Sequence, residues 1–149
     1  MYISYVNLNN LRLQILANDI AVIRISRTDT CMQAPENTIS REAAKQLQEY
    51  FLGTRTTFTF PFELSGTAFQ KKVWQALQTI HYGQTVSYQQ VAEVIGQPKA
   101  FRAVGRAIGQ NPVLIAVPCH RVIGKNGKLT GFSAGLDLKK QLLDIESKK

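Results

Sequence analysis

The sequence predicts an α+β chain, a small sheet followed by a helical, helix-turn-helix-like part, and three observations predict it. Apolar and polar residues alternate over residues 1–30, with Leu11, Leu13 and Ile15 on one face and turn-like breaks at Asn9-Asn10 and Asn18-Asp19. That alternation between turn residues is the pattern of a small antiparallel sheet. From residue 67 the period becomes helical, and two capping-box patterns, Thr67-Ala68-Phe69-Gln70 and Ser87-Tyr88-Gln89-Gln90, open apolar runs. Charge changes as well: residues 1–65 hold six Lys/Arg and six Asp/Glu, whereas residues 66–149 hold twelve and four, the whole of the net charge of +8. These shifts place a sheet-plus-helix domain at 1–62 and a second domain at 63–149, with residues 61–66 as the link.

In chain order, Val22 and Ile25 continue the first sheet, together with Ile20, Ala21 and Ile23. Ser40-Arg41-Glu42 starts a helix that runs to about Phe51, with Ala44, Leu47 and Phe51 at helical spacing and Gly53 as its stop. Thr57-Phe58-Thr59-Phe60 has the composition of one more short strand. Phe69, Val73, Leu77 and Ile80 then share a helical face beside Trp74, an aromatic stripe expected in the core. Gly83 ends that helix, and Ser87 opens another with Val91, Val94 and Ile95. Gly96-Gln97 follows, and Pro98 is expected at the first position of a third helix, where its missing N–H costs nothing.

That third helix divides into faces at about 100° per residue. Phe101, Val104 and Ile108 share one, expected to pack on the core. Lys99, Arg102 and Arg106 share a second, and Ala100, Ala103 and Ala107 lie between. A flat strip of small residues beside basic side chains suits a nucleic-acid groove; the same alanines could equally pack on a neighbouring helix. The basic second half by itself fits either an anionic partner or a solvated surface.

Composition narrows the class. The chain of 149 residues is 44% hydrophobic and 19% charged, ordinary for a globular protein. No apolar run approaches a membrane span, and the first residues lack a basic segment followed by a signal core, so a cytoplasmic location is expected. With two cysteines, Cys31 and Cys119, and two histidines, His81 and His120, a structural metal site lacks ligands, and no disulfide is expected.

The chemistry concentrates at Pro118-Cys119-His120-Arg121, entered by the apolar run from Val113 to Val117. The flanks are read as a buried strand or extended segment, stiffened by the proline. A thiol with an imidazole and a guanidinium behind it matches the general design of an activated nucleophile. A buried structural cysteine would look the same at this range.

The longer pattern is more specific. Asn111-Pro112, Pro118-Cys119-His120-Arg121-Val122, Gly131-Phe132-Ser133-Ala134-Gly135-Leu136, Lys139 and Glu146 resemble the active-site region of the O6-alkylguanine-DNA alkyltransferases. The resemblance continues upstream through Gly83-Gln84-Thr85-Val86-Ser87-Tyr88 and residues 98–105, and covers roughly residues 65–147. It implies an RNase H-like first domain that buttresses a winged helix-turn-helix domain. It implies binding of double-stranded DNA through the minor groove, a flipped alkylated base, and single-turnover transfer of the alkyl group from O6-alkylguanine, with O4-methylthymine a second substrate, to Cys119. No cofactor, no membrane association and a monomer in solution are expected.

In that resemblance Cys119 is the nucleophile, His120 the base acting through a water molecule, and Glu146 the group that orients the imidazole. Arg102 fills the gap left in the base stack, Tyr88 meets the phosphate beside the target nucleotide, and Ala103, Lys99 and Arg106 lie along the DNA. Asn111 bonds the backbone between the helices and the active loop. Arg121 holds the segment through a salt bridge or carbonyls, and Val122 offers its carbonyl to the guanine amino group. Phe132 lies against the base where a tyrosine could also donate. Ser133 donates to O6, Ala134 narrows the pocket, and Lys139 assists electrostatically. The competing readings are an alkyltransferase-like damage-recognition protein, a non-catalytic helix-turn-helix regulator and a Cys-His hydrolase. The first commonly lacks the cysteine, and the second does not explain Glu146.

Overall fold

The computed structural model describes residues 1–148. It is the α+β chain expected, a small antiparallel sheet followed by a largely helical part. It divides into two units, one of Met1–Ser65 with Pro112–Ala116, the other of Gly66–Asn111 with Val117–Lys149. The return of residues 112–116 to the first unit is a tertiary event that no boundary drawn along the sequence expresses.

In the first unit β1 (Tyr2–Leu8), β2 (Leu11–Ala17) and β3 (Val22–Arg27) form an antiparallel meander. The two-residue turn at Asn9-Asn10 sets the register, pairing Leu8 with Leu11 and Tyr2 with Ala17. In β2, Leu11, Leu13, Ile15 and Ala17 are buried and the residues between them half-buried. Ile20 lies in the turn before β3 and is exposed. The free edge of β3 is covered at both ends. Val22 N–H donates to Pro61 and Val22 carbonyl accepts from Glu63, while Ile25 exchanges bonds with Pro112 and Leu114. Covering an edge in this way removes a template for unwanted pairing.

Helix α1 (Thr38–Phe51) packs on β1 and β2. It begins before the Ser40 of the sequence reading, because Asn37 caps it: Asn37 Oδ1 accepts from the Ser40 amide at 2.8 Å, and Ser40 Oγ accepts from the Asn37 amide at 3.1 Å. Its buried face is Ala43, Gln46, Leu47 and Tyr50, rotated by about one residue from the expected Ala44, Leu47 and Phe51. No strand forms at residues 57–60. The Gln46 side chain instead takes the Thr59 amide and donates to the Thr59 hydroxyl, so a side chain satisfies backbone that a ladder would have satisfied. Phe58, Phe60 and Phe62 then lie ring against ring from Tyr50 outward.

In the second unit α2 (Ala68–Leu77), α3 (Tyr88–Val94) and α4 (Phe101–Gly109) pack together. Both predicted capping boxes are present, at Thr67/Gln70 and Ser87/Gln90. Trp74 is buried, as expected, and its indole N–H donates to the Ala107 carbonyl at 2.9 Å, tying α2 to α4. β4 (Val86–Ser87) pairs in parallel with β5 (Val122–Ile123), and α5 (Leu136–Ser147) closes the unit.

Three local readings change. Pro98 and Lys99 lie in the turn, and Ala100 is the residue before α4, so the proline ends the connection rather than opening the helix. The buried face of α4 is Val104, Ala107 and Ile108, while Phe101 is 44% exposed. A helix starting three residues late rotates its inward stripe, and Ala107 becomes the small residue that lets α2 come close. In α3, Val91 and Ala92 are buried and Val94 is exposed. Among the described residues no helix is long and apolar enough to cross a membrane.

Leu13 is fully buried at the centre of the sheet. Leu13→Ala is expected to lower unfolding stability by about 2–5 kcal/mol, measured by urea denaturation, because the rigid sheet cannot collapse into the gap.

Candidate active site

Cys119 is placed by tight turns, not by an extended strand. Ala116 N–H donates to the Leu114 carbonyl at 2.8 Å around Ile115, whose φ of 74° is a strained conformation for a β-branched residue. Cys119 N–H then donates to the Val117 carbonyl at 2.8 Å around Pro118, at φ −82° and ψ 64°, an inverse γ-turn. Cys119–Arg121 is one turn of 3₁₀ helix. At about three residues per turn its side chains fan out some 120° apart, so the thiol, imidazole and guanidinium leave one short segment in three directions. Alternation along a strand, the sequence expectation, would have put Cys119 and His120 on opposite faces.

Cys119 is 2% exposed. Burial pushes its thiol up to about 11, against smaller opposing effects from a hydrogen bond with the Asn111 side chain, the Lys139 charge and its own backbone. At neutral pH the group is therefore a thiol, and its attack needs a base. Asn111 also donates from Nδ2 to the Val117 carbonyl at 2.8 Å, so one amide holds both the cysteine and the turn before it.

His120 is fully buried. Its Nε2 lies 2.7 Å from Glu146 Oε2. The Glu146 carboxylate also accepts from Arg121 Nε at 2.8 Å, from Arg121 Nη2 at 3.0 Å and from the Gly83 amide at 3.3 Å. A carboxylate ringed by N–H donors accepts from Nε2 as well, so the imidazole proton sits on Nε2 and Nδ1 carries the free lone pair. Nδ1 is the one buried side-chain nitrogen or oxygen among the described residues with no hydrogen-bonding partner. Burial lowers the His120 pKa, outweighing the bond and charge of Glu146; Arg121 and Lys139 lower it further. The ring is thus a neutral base with one open nitrogen.

Lys139, also buried, donates to the carbonyls of Val122 at 2.7 Å and Thr130 at 2.8 Å. It lies 6.0 Å from the centre of the Phe132 ring. It therefore ties β5 to the loop 124–135 in addition to supplying charge. The Val122 carbonyl expected to face a guanine keeps one lone pair beyond the lysine bond. Tyr88, first residue of α3, donates to the Thr130 carbonyl at 3.2 Å. Phe132 is half-buried, Ser133 exposed and Ala134 half-buried in the loop that ends at Gly135. Lys99, Arg102, Ala103 and Arg106 are exposed along the turn and α4.

The unit thus gathers Cys119, Asn111, His120, Arg121, Glu146 and Lys139 into one connected buried cluster. Phe132 touches it through Lys139, and Tyr88 through Thr130. Among the described residues, Arg102, Ala103 and Arg106 of α4 make no hydrogen bond to it. Thr130, Gly83, Tyr82 and Ile80 were not foreseen. They act largely through backbone groups, which carry no signature in side-chain pattern. Among the described residues no group of three His, Cys, Asp or Glu could hold a metal ion.

Residues 68–148 match the family model described as 6-O-methylguanine DNA methyltransferase, DNA binding domain. The chain is 55% identical over 106 residues to the methylated-DNA–protein-cysteine methyltransferase of Methanosarcina acetivorans, a match covering 71% of this chain and 68% of that protein. It is 56% identical over 105 residues to the inducible enzyme of that name from Bacillus subtilis, covering 70% of this chain and 59% of the relative, less than two thirds of its length. The crystal structure of Mycobacterium tuberculosis OGT in complex with DNA superposes with a TM-score of 0.91 at 38% identity, covering 99% of this chain and 94% of that one.

Removing Glu146 leaves Arg121 buried without its counter-charge. Glu146→Ala is expected to cost about 3–5 kcal/mol in urea unfolding, and Glu146→Gln less. Because His120 is held neutral in the fold, the unfolded chain takes up its proton from about pH 6.5 downward while the folded one resists. Stability is then full above that pH and falls as the pH drops below it. Urea midpoints measured against pH should show the loss, and His120→Gln should lessen it.

Proposed function

The chain belongs to the 6-O-methylguanine DNA methyltransferase family, and on that premise we propose that it repairs duplex DNA by moving the alkyl group of O6-alkylguanine onto its own Cys119. The observation that carries this reading is the buried relay: a neutral imidazole, proton fixed on Nε2 by Glu146, with Nδ1 open beside the segment that bears a protonated thiol.

The reaction follows from those groups. His120 Nδ1 takes the thiol proton, by way of a water molecule as the family resemblance implies. The sulfur displaces the O6-alkyl carbon, a C–S bond forming as the C–O bond breaks. The guanine leaves with the electron pair and is neutralised by a proton. A thiol held near 11 makes deprotonation part of the step, so the base and the polarisation of the leaving oxygen both act in the transition state. Ser133 donates to O6, Phe132 lies against the base, and the remaining lone pair of the Val122 carbonyl accepts from its amino group. Phenylalanine in place of a donor at 132 and the methyl group of Ala134 favour small alkyl groups.

A base inside a duplex cannot reach a buried sulfur unless it is flipped out. In this reading α3 and α4 act as a helix-turn-helix in the minor groove. The exposed Ala103 lets α4 lie close, Lys99 and Arg106 face phosphates, Arg102 enters the stack in place of the flipped base, and Tyr88 meets the adjacent phosphate. The basic balance of residues 66–149 supports a polyanionic partner. The product thioether is a poor leaving group, so each molecule reacts once.

With methyl-labelled O6-methylguanine duplex in excess, one equivalent of label is expected on Cys119 and none on Cys119→Ser. Repeated turnover, or label retained by the variant, would overturn the reading. Arg102→Ala is expected to slow transfer from duplex by about tenfold or more, yet leave transfer from the free base O6-methylguanine nearly unchanged, since only the duplex needs its stack refilled.

A further inference from the structure

The relay is bracketed by a turn to which no site role has been given above. Residues 80–83, between α2 and β4, bring four groups onto Arg121, Glu146 and the end of α5. The Ile80 carbonyl accepts from Arg121 Nη1 at 2.7 Å. The Tyr82 ring lies against the guanidinium, 5.7 Å from its carbon to the ring centre. Tyr82 Oη donates to the Ile145 carbonyl at 3.4 Å, and the Gly83 amide donates to Glu146 Oε1 at 3.3 Å. Gly83 stands at φ 83°, which turns its amide back toward the carboxylate at no side-chain cost.

The geometry separates what each contact restrains. The N–H bonds of Arg121 to Glu146, two of them, and to Ile80 lie in the plane of its fork. In-plane bonds resist sliding but resist tilt weakly. An aromatic ring against the guanidinium resists tilt through the cation–π attraction. Glu146 Oε2 is shared by Arg121 Nη2 and His120 Nε2. A tilt of the guanidinium therefore changes what the imidazole receives.

We propose that Tyr82 is a positioning residue for the transfer: its ring on Arg121 holds the shared carboxylate so that His120 keeps its proton on Nε2 and its lone pair on Nδ1. The proposal deepens the functional reading above and rests on it for the word transfer. Its electrostatic side agrees, because the Tyr82 phenol is itself raised by burial and by the Glu146 charge, against Arg121. The groups that act on the imidazole are Glu146, Arg121 and Lys139, so Tyr82 works through the first two.

The test uses the full chain with Tyr82→Leu, which removes the ring contact, and Tyr82→Phe, which keeps the ring and removes the hydroxyl with its bond to Ile145. Two quantities are read: single-turnover transfer from O6-methylguanine duplex against pH, and the His120 tautomer and titration midpoint by ¹⁵N imidazole NMR. Tyr82→Leu should slow transfer by about tenfold without weakening duplex binding. It should also move the His120 midpoint upward, since a loosened Arg121 neutralises Glu146 less and the lost ring admits water. Tyr82→Phe should restore both to near wild type. If Tyr82→Leu lowers only the melting temperature, with rate and midpoint unchanged, Tyr82 is merely structural and the proposal fails. Should the wild type transfer nothing, the functional reading fails instead, and the NMR midpoint still decides whether Tyr82 sets the state of His120.

Discussion

The second unit is built around one carboxylate. Glu146 is 3% exposed and accepts from His120, twice from Arg121 and from the Gly83 amide. An ionised group in that setting is tolerable only when its lone pairs are met and its charge balanced. The arrangement meets both conditions with donors from two places, the 3₁₀ turn of Cys119–Arg121 and the turn at residues 80–83, which converge on the glutamate of α5. Those segments are far apart in sequence and cannot move independently while the carboxylate stays buried. The same saturation gives the imidazole a single tautomer. The open lone pair of Nδ1 is thus a consequence of a stability requirement at Nε2.

That arrangement also bears on the high pKa of the Cys119 thiol. A preformed thiolate would be a general nucleophile, open to any small electrophile. Cys119 is buried and held as a thiol, so any reaction at it requires a base and a route to the sulfur. Asn111 and Lys139 oppose the burial only in part. Lys139 uses its hydrogen bonds on the Val122 and Thr130 carbonyls, and its charge is shared between holding the loop and favouring the thiolate.

Backbone groups are prominent in the supporting shell. The Val117, Ile80, Val122 and Thr130 carbonyls and the Gly83 amide each meet a side chain of the cluster. Parallel pairing of β4 with β5 sets Val86 against Val122, one residue beyond the 3₁₀ turn and two before Tyr88. The tyrosine at the head of α3 is thereby registered to the cysteine segment through two short strands, and through Thr130 to the loop that carries Phe132 and Ser133.

Much of this was legible in the amino-acid order. Strand alternation over residues 1–30 and the capping boxes at Thr67 and Ser87 are local, because a period of two or a hydroxyl three residues before a glutamine is read within one element. The Pro118-Cys119-His120-Arg121 motif with Glu146 pointed to the family by resemblance. Other features depended on the folded chain. The strand expected at residues 57–60 was replaced because the Gln46 side chain, from another element, satisfied its backbone. Phe101 lost its core place because the turn at Pro98 and Lys99 delayed α4 and rotated its stripe. The 3₁₀ geometry of Cys119–Arg121, the proton on Nε2, and the bracket from residues 80–83 are all decided by groups distant in sequence meeting in one dry volume. Residue order specifies which side chains exist and their local periods. Which buried donor finds which acceptor is decided only when desolvation forces every polar group inside to take a partner.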